Sequence, residues 1–311
     1  MNSGRPLRGR WREEPCDDVL EARSAERADT FSLVPARGMS YADLAKHGDG
    51  AAVTNIIISG AAGRMGRAIL AAAEPDRDVA VAGLCEAGDL AGGMTAFRGE
   101  PMKIHGTLPS TARAVIIEFT APAATVEHVR EAVANRQAIV VGTTGLTPAQ
   151  VGDLESAARQ IAVVYSTNYS VGVNLLWRLA REAVTVLGDD ADAEIIEVHH
   201  NLKKDAPSGT ALTLAEVVNS ARRRAAGQGA VYGRQGMPGE RPRGEVGIHA
   251  VRGGDIAGDH TLMLAMGGER LELTHRAHNR DTFARGALRA ARWVASQPPG
   301  LYSMADVLGL A

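Results

Sequence analysis

The sequence predicts an α/β fold in two parts: a doubly wound, parallel-sheet domain, then an α+β domain on an open mixed sheet. Three observations lead there. Short apolar, β-branched runs alternate with helix-like stretches between residues 55 and 165. A loop with glycine at every third position, Gly60, Gly63 and Gly66, follows the first of those runs. From about Ser170 the character changes to a long helix, a polar loop dense in histidine and lysine, and further strand-like runs.

Asn55-Ile56-Ile57-Ile58-Ser59 reads as a buried strand. It runs into Gly60-Ala61-Ala62-Gly63-Arg64-Met65, where glycine permits a tight turn and close backbone approach to a pyrophosphate resting on a helix N-terminus. The spacing is G-x-x-G-x-x-G, not the commoner G-x-G-x-x-G, so strand-before and helix-after carry the assignment. The next strand, Val79 to Cys85, ends at Glu86, an acid placed for ribose hydroxyls. Strands over Ala114–Thr120, Ala138–Gly142 and Ile161–Tyr165 follow, and Thr147-Pro148-Ala149-Gln150 reads as an N-cap, an N1 proline and a capping-box glutamine. Ligands on such sheets lie at the carboxyl ends of strands. Three strand ends therefore converge as a cofactor crevice: the glycine loop, Gly142-Thr143-Thr144, and Ser166-Thr167-Asn168-Tyr169. Either of the latter two, taken alone, is equally readable as an ordinary polar turn.

The second part opens with a helix over Val171–Leu187 and a strand, Glu194-Ile195-Ile196-Glu197-Val198. Then comes His199-His200-Asn201-Leu202-Lys203-Lys204-Asp205-Ala206-Pro207-Ser208-Gly209-Thr210-Ala211. Imidazole and ammonium groups donate protons near neutral pH when their pKa values are tuned, and a helix beginning at Ser208 offers free N–H groups to an anion. Neighbouring side chains of a strand face opposite ways, so His199 and His200 share a pocket only if the strand ends or bends between them. A loop rich in Gly, Pro and Arg spans residues 227–244, strands are expected over Val246–Val251, His260–Met266 and Arg270–His275, and Arg280–Leu310 reads as helical. Arg252 and Arg276 are candidates for substrate or interface cations, with a solvated arginine as the default.

The motifs Gly60 to Gly66, Gly142-Thr143-Thr144-Gly145, Asn168-Tyr169-Ser170-Val171-Gly172-Val173-Asn174 and His199 to Ala211 together resemble the 4-hydroxy-tetrahydrodipicolinate (dihydrodipicolinate) reductase family, from about Val53 to the C-terminus. The resemblance implies a Rossmann-like nucleotide domain over residues 53–169 plus 280–311, and a substrate-binding and tetramerisation domain over 170–279. It implies hydride transfer from NADH or NADPH to a cyclic imine dicarboxylate, with loss of water, on the diaminopimelate route to lysine. It makes His199 the proton donor, Lys203 an assisting cationic acid, His200 a substrate contact, and Gly209 and Thr210 the holders of a substrate carboxylate. Many members carry a basic residue after the ribose-binding acid; here it is Ala87, so NADH is expected to be favoured, with Arg64 the nearby cation able to soften that preference. A homotetramer is likewise implied.

Composition limits the alternatives. The chain has 311 residues, 45% hydrophobic and 23% charged, with a net charge of −2, and no broad basic patch argues for nucleic acid or an anionic membrane. No apolar run reaches transmembrane length. Cys16 and Cys85 make no disulfide framework and fit a cytoplasmic location. The His pair lacks companion ligands at zinc-like spacing, so no metal is expected. Residues 1–52 mix arginine with acids and read as a disordered extension, with Met39 an alternative start. Two other functions compete: another NAD-dependent reductase of small amino or keto acids, and a non-catalytic NAD sensor on the same fold. His199, Lys203 and the Gly209-Thr210 cradle argue against the sensor, which needs no proton donor.

Overall fold

A computed structural model describes residues 53–310; the extension expected over residues 1–52 lies outside them. An eight-stranded sheet comes first. Its strands are β1 (Thr54–Ser59), β2 (Val79–Cys85), β3 (Met94–Phe97), β4 (Glu100–His105), β5 (Val115–Glu118), β6 (Ile139–Val141), β7 (Ala162–Tyr165) and β13 (Gly300–Tyr302). They lie in the order β13-β7-β6-β5-β1-β2-β4-β3. All neighbours are parallel except the β3–β4 hairpin at the edge. The strand order reverses at β1, so a crevice opens between the ends of β1 and β5.

Alternation along the buried strands places neighbouring residues on opposite faces. Ile56 and Ile58 pack with Ile69 of α1 (Arg64–Ala73) and Leu288 of α6 (Asp281–Val294). Ile57 and Ile116 pack with Val129 of α2 (Pro122–Asn135) and Leu154 of α3 (Pro148–Ala157). Thr147 and Gln150 close the expected capping box on α3.

The second sheet has the order β12-β11-β8-β10-β9, from β8 (Asp192–His199), β9 (Ala230–Tyr232), β10 (Val246–Arg252), β11 (Gly258–Ala265) and β12 (Arg270–Ala277). It is mixed: β9 and β10 run parallel to β8, and β11 antiparallel. One face, carrying Ala193, Ile195, Ile248, Leu262 and Leu264, packs against α4 (Val171–Leu187) and α5 (Gly209–Ala221).

Two expectations change. The segment Arg280–Leu310 is not wholly helical: after α6, Gly300–Tyr302 pairs with β7, and a short α7 (Met304–Leu308) closes the described chain. Pro298 and Pro299 stop the helix, and three residues are too few to show a period. The Gly-, Pro- and Arg-rich loop holds a strand, β9, and is anchored by Glu194, which is 8% exposed. Arg234, Arg241 and His249 all reach the Glu194 carboxylate at 2.7–3.1 Å. Burial pushes Glu194 up, but the hydrogen bonds from Arg234, His249 and Arg241 outweigh it and hold the pKa at about 2. A depressed carboxylate stabilises above its unfolded pKa, and that contribution is lost as pH falls toward 2. Glu194→Ala removes the carboxylate that two guanidiniums share, while Arg234 keeps Glu245 and Arg241 keeps Asp192; it is expected to cost about 3 kcal/mol, the low end for a broken buried pair, read from the urea midpoint at neutral pH.

Candidate active site

β8 settles the histidine question through its pleat. Glu197 and His199 are two residues apart and therefore share a face, and the strand ends at His199. His200 lies beyond it, with its N–H donated to Ile256 O at 2.8 Å. Glu197 is fully buried and forms the hub of the site. Its carboxylate accepts both guanidinium arms of Arg252, each at 2.8 Å, the Ser208 N–H at 3.0 Å, and His199 Nδ1 at 2.6 Å. Burial pushes Glu197 up, and the hydrogen bonds from Arg252, His199 and Ser208 bring it below the usual carboxylate range. An anionic Glu197 fixes the proton on His199 Nδ1 and leaves Nε2 as the exchanging atom. Burial lowers the His199 pKa; Glu197 opposes this, and the charges of Lys203 and Arg252 add to it. Arg252 is thus a structural cation of the site and not the solvated arginine expected. Arg276, 69% exposed at its side chain and 3.5 Å from Asp259, does lie at the surface.

The start of helix α5 is the candidate anion cradle. Ser208 caps it, its Oγ accepting the Ala211 N–H at 3.2 Å. The Leu212 N–H goes to Ser208 O, and the Ser208 N–H to Glu197. Gly209 and Thr210 are left as the first-turn N–H groups without a partner among the described residues. Lys203 pairs with Asp205 at 2.9 Å. Behind the cradle, buried His260 meets Ser208 Oγ at 3.0 Å and stacks edge-on to His199, centroids 5.2 Å apart. Burial, and then the charge of His199, bring its pKa down to about 3, so it stays neutral beside His199. Gly258 leaves room for the His199 ring: a Cβ there would sit 2.9 Å from His199 Nε2.

At the first sheet, Gly60 turns with φ +71°, and a Cβ on Gly66 would collide with Gly60 O. The N-terminus of α1 carries no side-chain cap. Ala61 is buried and Met65 half-buried, whereas Gly63 and Arg64 are exposed at the helix start. Glu86 Oε2 accepts the Ala62 N–H at 3.0 Å, which holds the acid against the glycine loop, and Ala87 beside it is exposed. Thr143 is buried and Thr144 exposed in the loop after β6. Ser166 Oγ closes a local turn with Asn168, and Thr167 is exposed. Asn168 Nδ2 donates to Thr210 Oγ1 at 3.0 Å, so this strand end touches the anion cradle as well as the crevice. Tyr169, at the same strand end, turns its side chain inward. It is 2% exposed, and its hydroxyl donates to Val141 O and Val164 O at 2.8 and 3.2 Å, tying β6 to β7.

The sequence reading placed Ser208 at the start of the anion-binding helix but missed Glu197 and His260 as members of the site. The Glu-x-His spacing inside a strand was the available signal for Glu197. Nothing local announces His260, which arrives on β11 by strand pairing with β8.

Residues 54–169 match the family model for "Dihydrodipicolinate reductase, N-terminus", and residues 172–308 the one for "Dihydrodipicolinate reductase, C-terminus". A 4-hydroxy-tetrahydrodipicolinate reductase of Anaeromyxobacter dehalogenans is 46% identical over 273 residues, covering 83% of this chain and 98% of that protein. One from Akkermansia muciniphila is 45% identical over 258 residues, with 83% and 98% covered. In fold, the chain is similar to a dipicolinate-bound dihydrodipicolinate reductase from Paenisporosarcina sp. TG-14, with TM-score 0.64, 22% identity, and 82% and 98% of the two chains covered.

Proposed function

Because the chain belongs to the dihydrodipicolinate reductase family, we propose that the Glu197–His199 cluster and the Gly209–Thr210 cradle are its catalytic centre. The chain is an oxidoreductase of lysine and diaminopimelate biosynthesis: with NAD(P)H it reduces 4-hydroxy-tetrahydrodipicolinate to tetrahydrodipicolinate with loss of water. The observation that carries the site assignment is one buried carboxylate, Glu197, holding the donor His199 and the N-cap of the cradle at once.

The residues divide the work by chemistry. A dicarboxylate needs cations and N–H donors, and Gly209, Thr210 and Lys203 supply them at the mouth of α5. His200 stands beside them as a further substrate contact. His199 gives its Nε2 proton to the reducing ring, and Glu197 steadies the imidazolium before the proton leaves. An approaching carboxylate raises the His199 pKa toward the charged form. Accordingly kcat/KM falls as pH rises through the lowered pKa of the free enzyme's His199, and kcat holds to higher pH. Measured profiles in which both parameters stay flat through the histidine range would remove His199 from this role.

The first sheet fits a nicotinamide dinucleotide on its own geometry: a glycine turn closed to any Cβ, an uncapped helix start, and an acid bonded to the loop. The cofactor supplies the hydride. Glu86 would accept from adenosine ribose hydroxyls, Gly60 to Met65 would hold the pyrophosphate, and the Gly142-Thr143-Thr144 and Ser166-Thr167-Asn168 ends would hold the nicotinamide half. Residues 53–169 plus 280–311 form the nucleotide domain and 170–279 the substrate domain, and closure of one on the other brings hydride and proton together. The helix-free face of the second sheet, with Ile196, Val198, Val251 and Met263, is the face through which four copies associate. Net charge −2 gives no support to a nucleic-acid partner, and no helix of the described residues is long and apolar enough to cross a membrane. The enzyme works in the cytoplasm, where its cofactor is found.

NADH is the favoured reductant. Glu86 repels a 2′-phosphate at contact distance, and Ala87 gives no compensating donor. Steady-state kinetics are expected to show a higher kcat/KM with NADH, and Ala87→Arg to move the ratio toward NADPH. A several-fold wild-type preference for NADPH would mean that Arg64 or a more distant cation reads the phosphate.

A further inference from the structure

Glu118 is the last residue of β5 and is fully buried beneath the crevice, where the active-site account gives it no task. His128 Nδ1, on α2, meets its Oε2 at 2.7 Å and lies 3.1 Å from Ser59 Oγ, the residue before the glycine loop. Thr120 Oγ1 also donates to Glu118 Oε1. Thr125 Oγ1 stands 3.2 Å from the same oxygen and 2.7 Å from Thr143 Oγ1. Thr143 Oγ1 in turn accepts the Thr120 N–H at 3.2 Å. The backbone interlocks as well: the Gly142 N–H donates to Glu118 O at 2.9 Å, and a Cβ on Gly142 would enter the Phe119 ring. One carboxylate thus ties together the ends of β1, β5 and β6.

The arrangement has a side. Across the sheet the order is β6-β5-β1-β2. Glu86, the ribose-binding acid, belongs to the β2 end. The Glu118 network belongs to the other, where the opposite half of a dinucleotide must lie once its pyrophosphate rests on the glycine loop. We propose that Glu118 and His128, through Thr125 and Thr143, are positioning residues for the nicotinamide half of the cofactor. The inference rests on the reading of this crevice as the dinucleotide site. Burial pushes Glu118 up, but hydrogen bonding to His128 and the charge of His128 outweigh it, with help from Thr120 and Ser59. Burial lowers His128, and Glu118, then Glu131 and Glu127, raise it beyond that loss. Each partner thus favours the ionised form of the other, and hydrogen bonds between charged groups are stronger than neutral ones.

Binding to the full-length protein, without turnover, tests this. Affinities for NADH and for ADP-ribose, which lacks the nicotinamide, are measured for wild type, His128→Gln and Thr125→Val. Each variant is expected to weaken NADH by about tenfold and to leave ADP-ribose within about twofold. Thr125→Val keeps shape and charge, so it decides the matter if His128→Gln fails to fold. NADH affinity unchanged in a folded variant, or NADH and ADP-ribose weakened equally, would overturn the proposal. A wild type that binds neither ligand would instead overturn the crevice reading itself.

Discussion

His199→Gln is expected to lower kcat by about 10²- to 10⁴-fold, the range a positioned general acid contributes, while NADH binds as in wild type. Glutamine is of similar size and its amide N–H can still donate to the Glu197 carboxylate, so the buried hub keeps a partner. It cannot deliver a proton at Nε2. The crevice at β1 and β5 is built from other strands and does not sense the change. Single-turnover oxidation of enzyme-bound NADH reads the chemical step alone. A rate within a few-fold of wild type would show that another group, with Lys203 the nearest candidate, donates the proton.

Glu197→Ala is expected to be the more damaging change, because it strikes fold and chemistry together. The carboxylate is fully buried and answers the Arg252 guanidinium, the Ser208 N–H and His199. Removing it strands a cation and a backbone donor away from water, a loss of about 3–5 kcal/mol for a broken buried pair. It also frees the His199 ring, and loss of the orienting acid of a catalytic histidine costs about 10⁴-fold in the serine-protease case. Glu197→Gln separates the two effects. It keeps volume and most packing but places an amide N–H toward one of the donors. Its melting temperature should fall less than that of the alanine variant, and its kcat nearly as far. If Glu197→Gln turned over like wild type, the dyad would be a packing feature only.

The parts of this fold that could be read from the sequence are those whose cause is local. Asn55–Ser59 declares itself by an unbroken β-branched run, and Thr147 to Gln150 by a capping pattern that the structure closes bond for bond. Val171–Leu187 has enough turns for its helical period to show. What escaped has non-local causes. β9 and β13 are three residues each and exist because a neighbouring strand offers them a ladder. Arg252 looks solvent-bound in its Val-Arg-Gly-Gly context, yet strand pairing sets it opposite His199, within reach of Glu197. His260 becomes part of the site only because β11 lies antiparallel to β8. The inward turn of the Tyr169 side chain is non-local too, since its hydroxyl finds the carbonyls of Val141 and Val164 on two neighbouring strands.

The most direct test follows the absorbance of the dihydronicotinamide after the full-length protein is mixed with NADH and freshly generated 4-hydroxy-tetrahydrodipicolinate. One dinucleotide is expected to be oxidised per ring reduced, at a rate about 10²- to 10⁴-fold lower when His199 is replaced by glutamine, with no oxidation when an open-chain keto acid replaces the ring. Absence of ring-dependent oxidation with either NADH or NADPH, in a protein that is folded and binds the cofactor, would contradict that expectation.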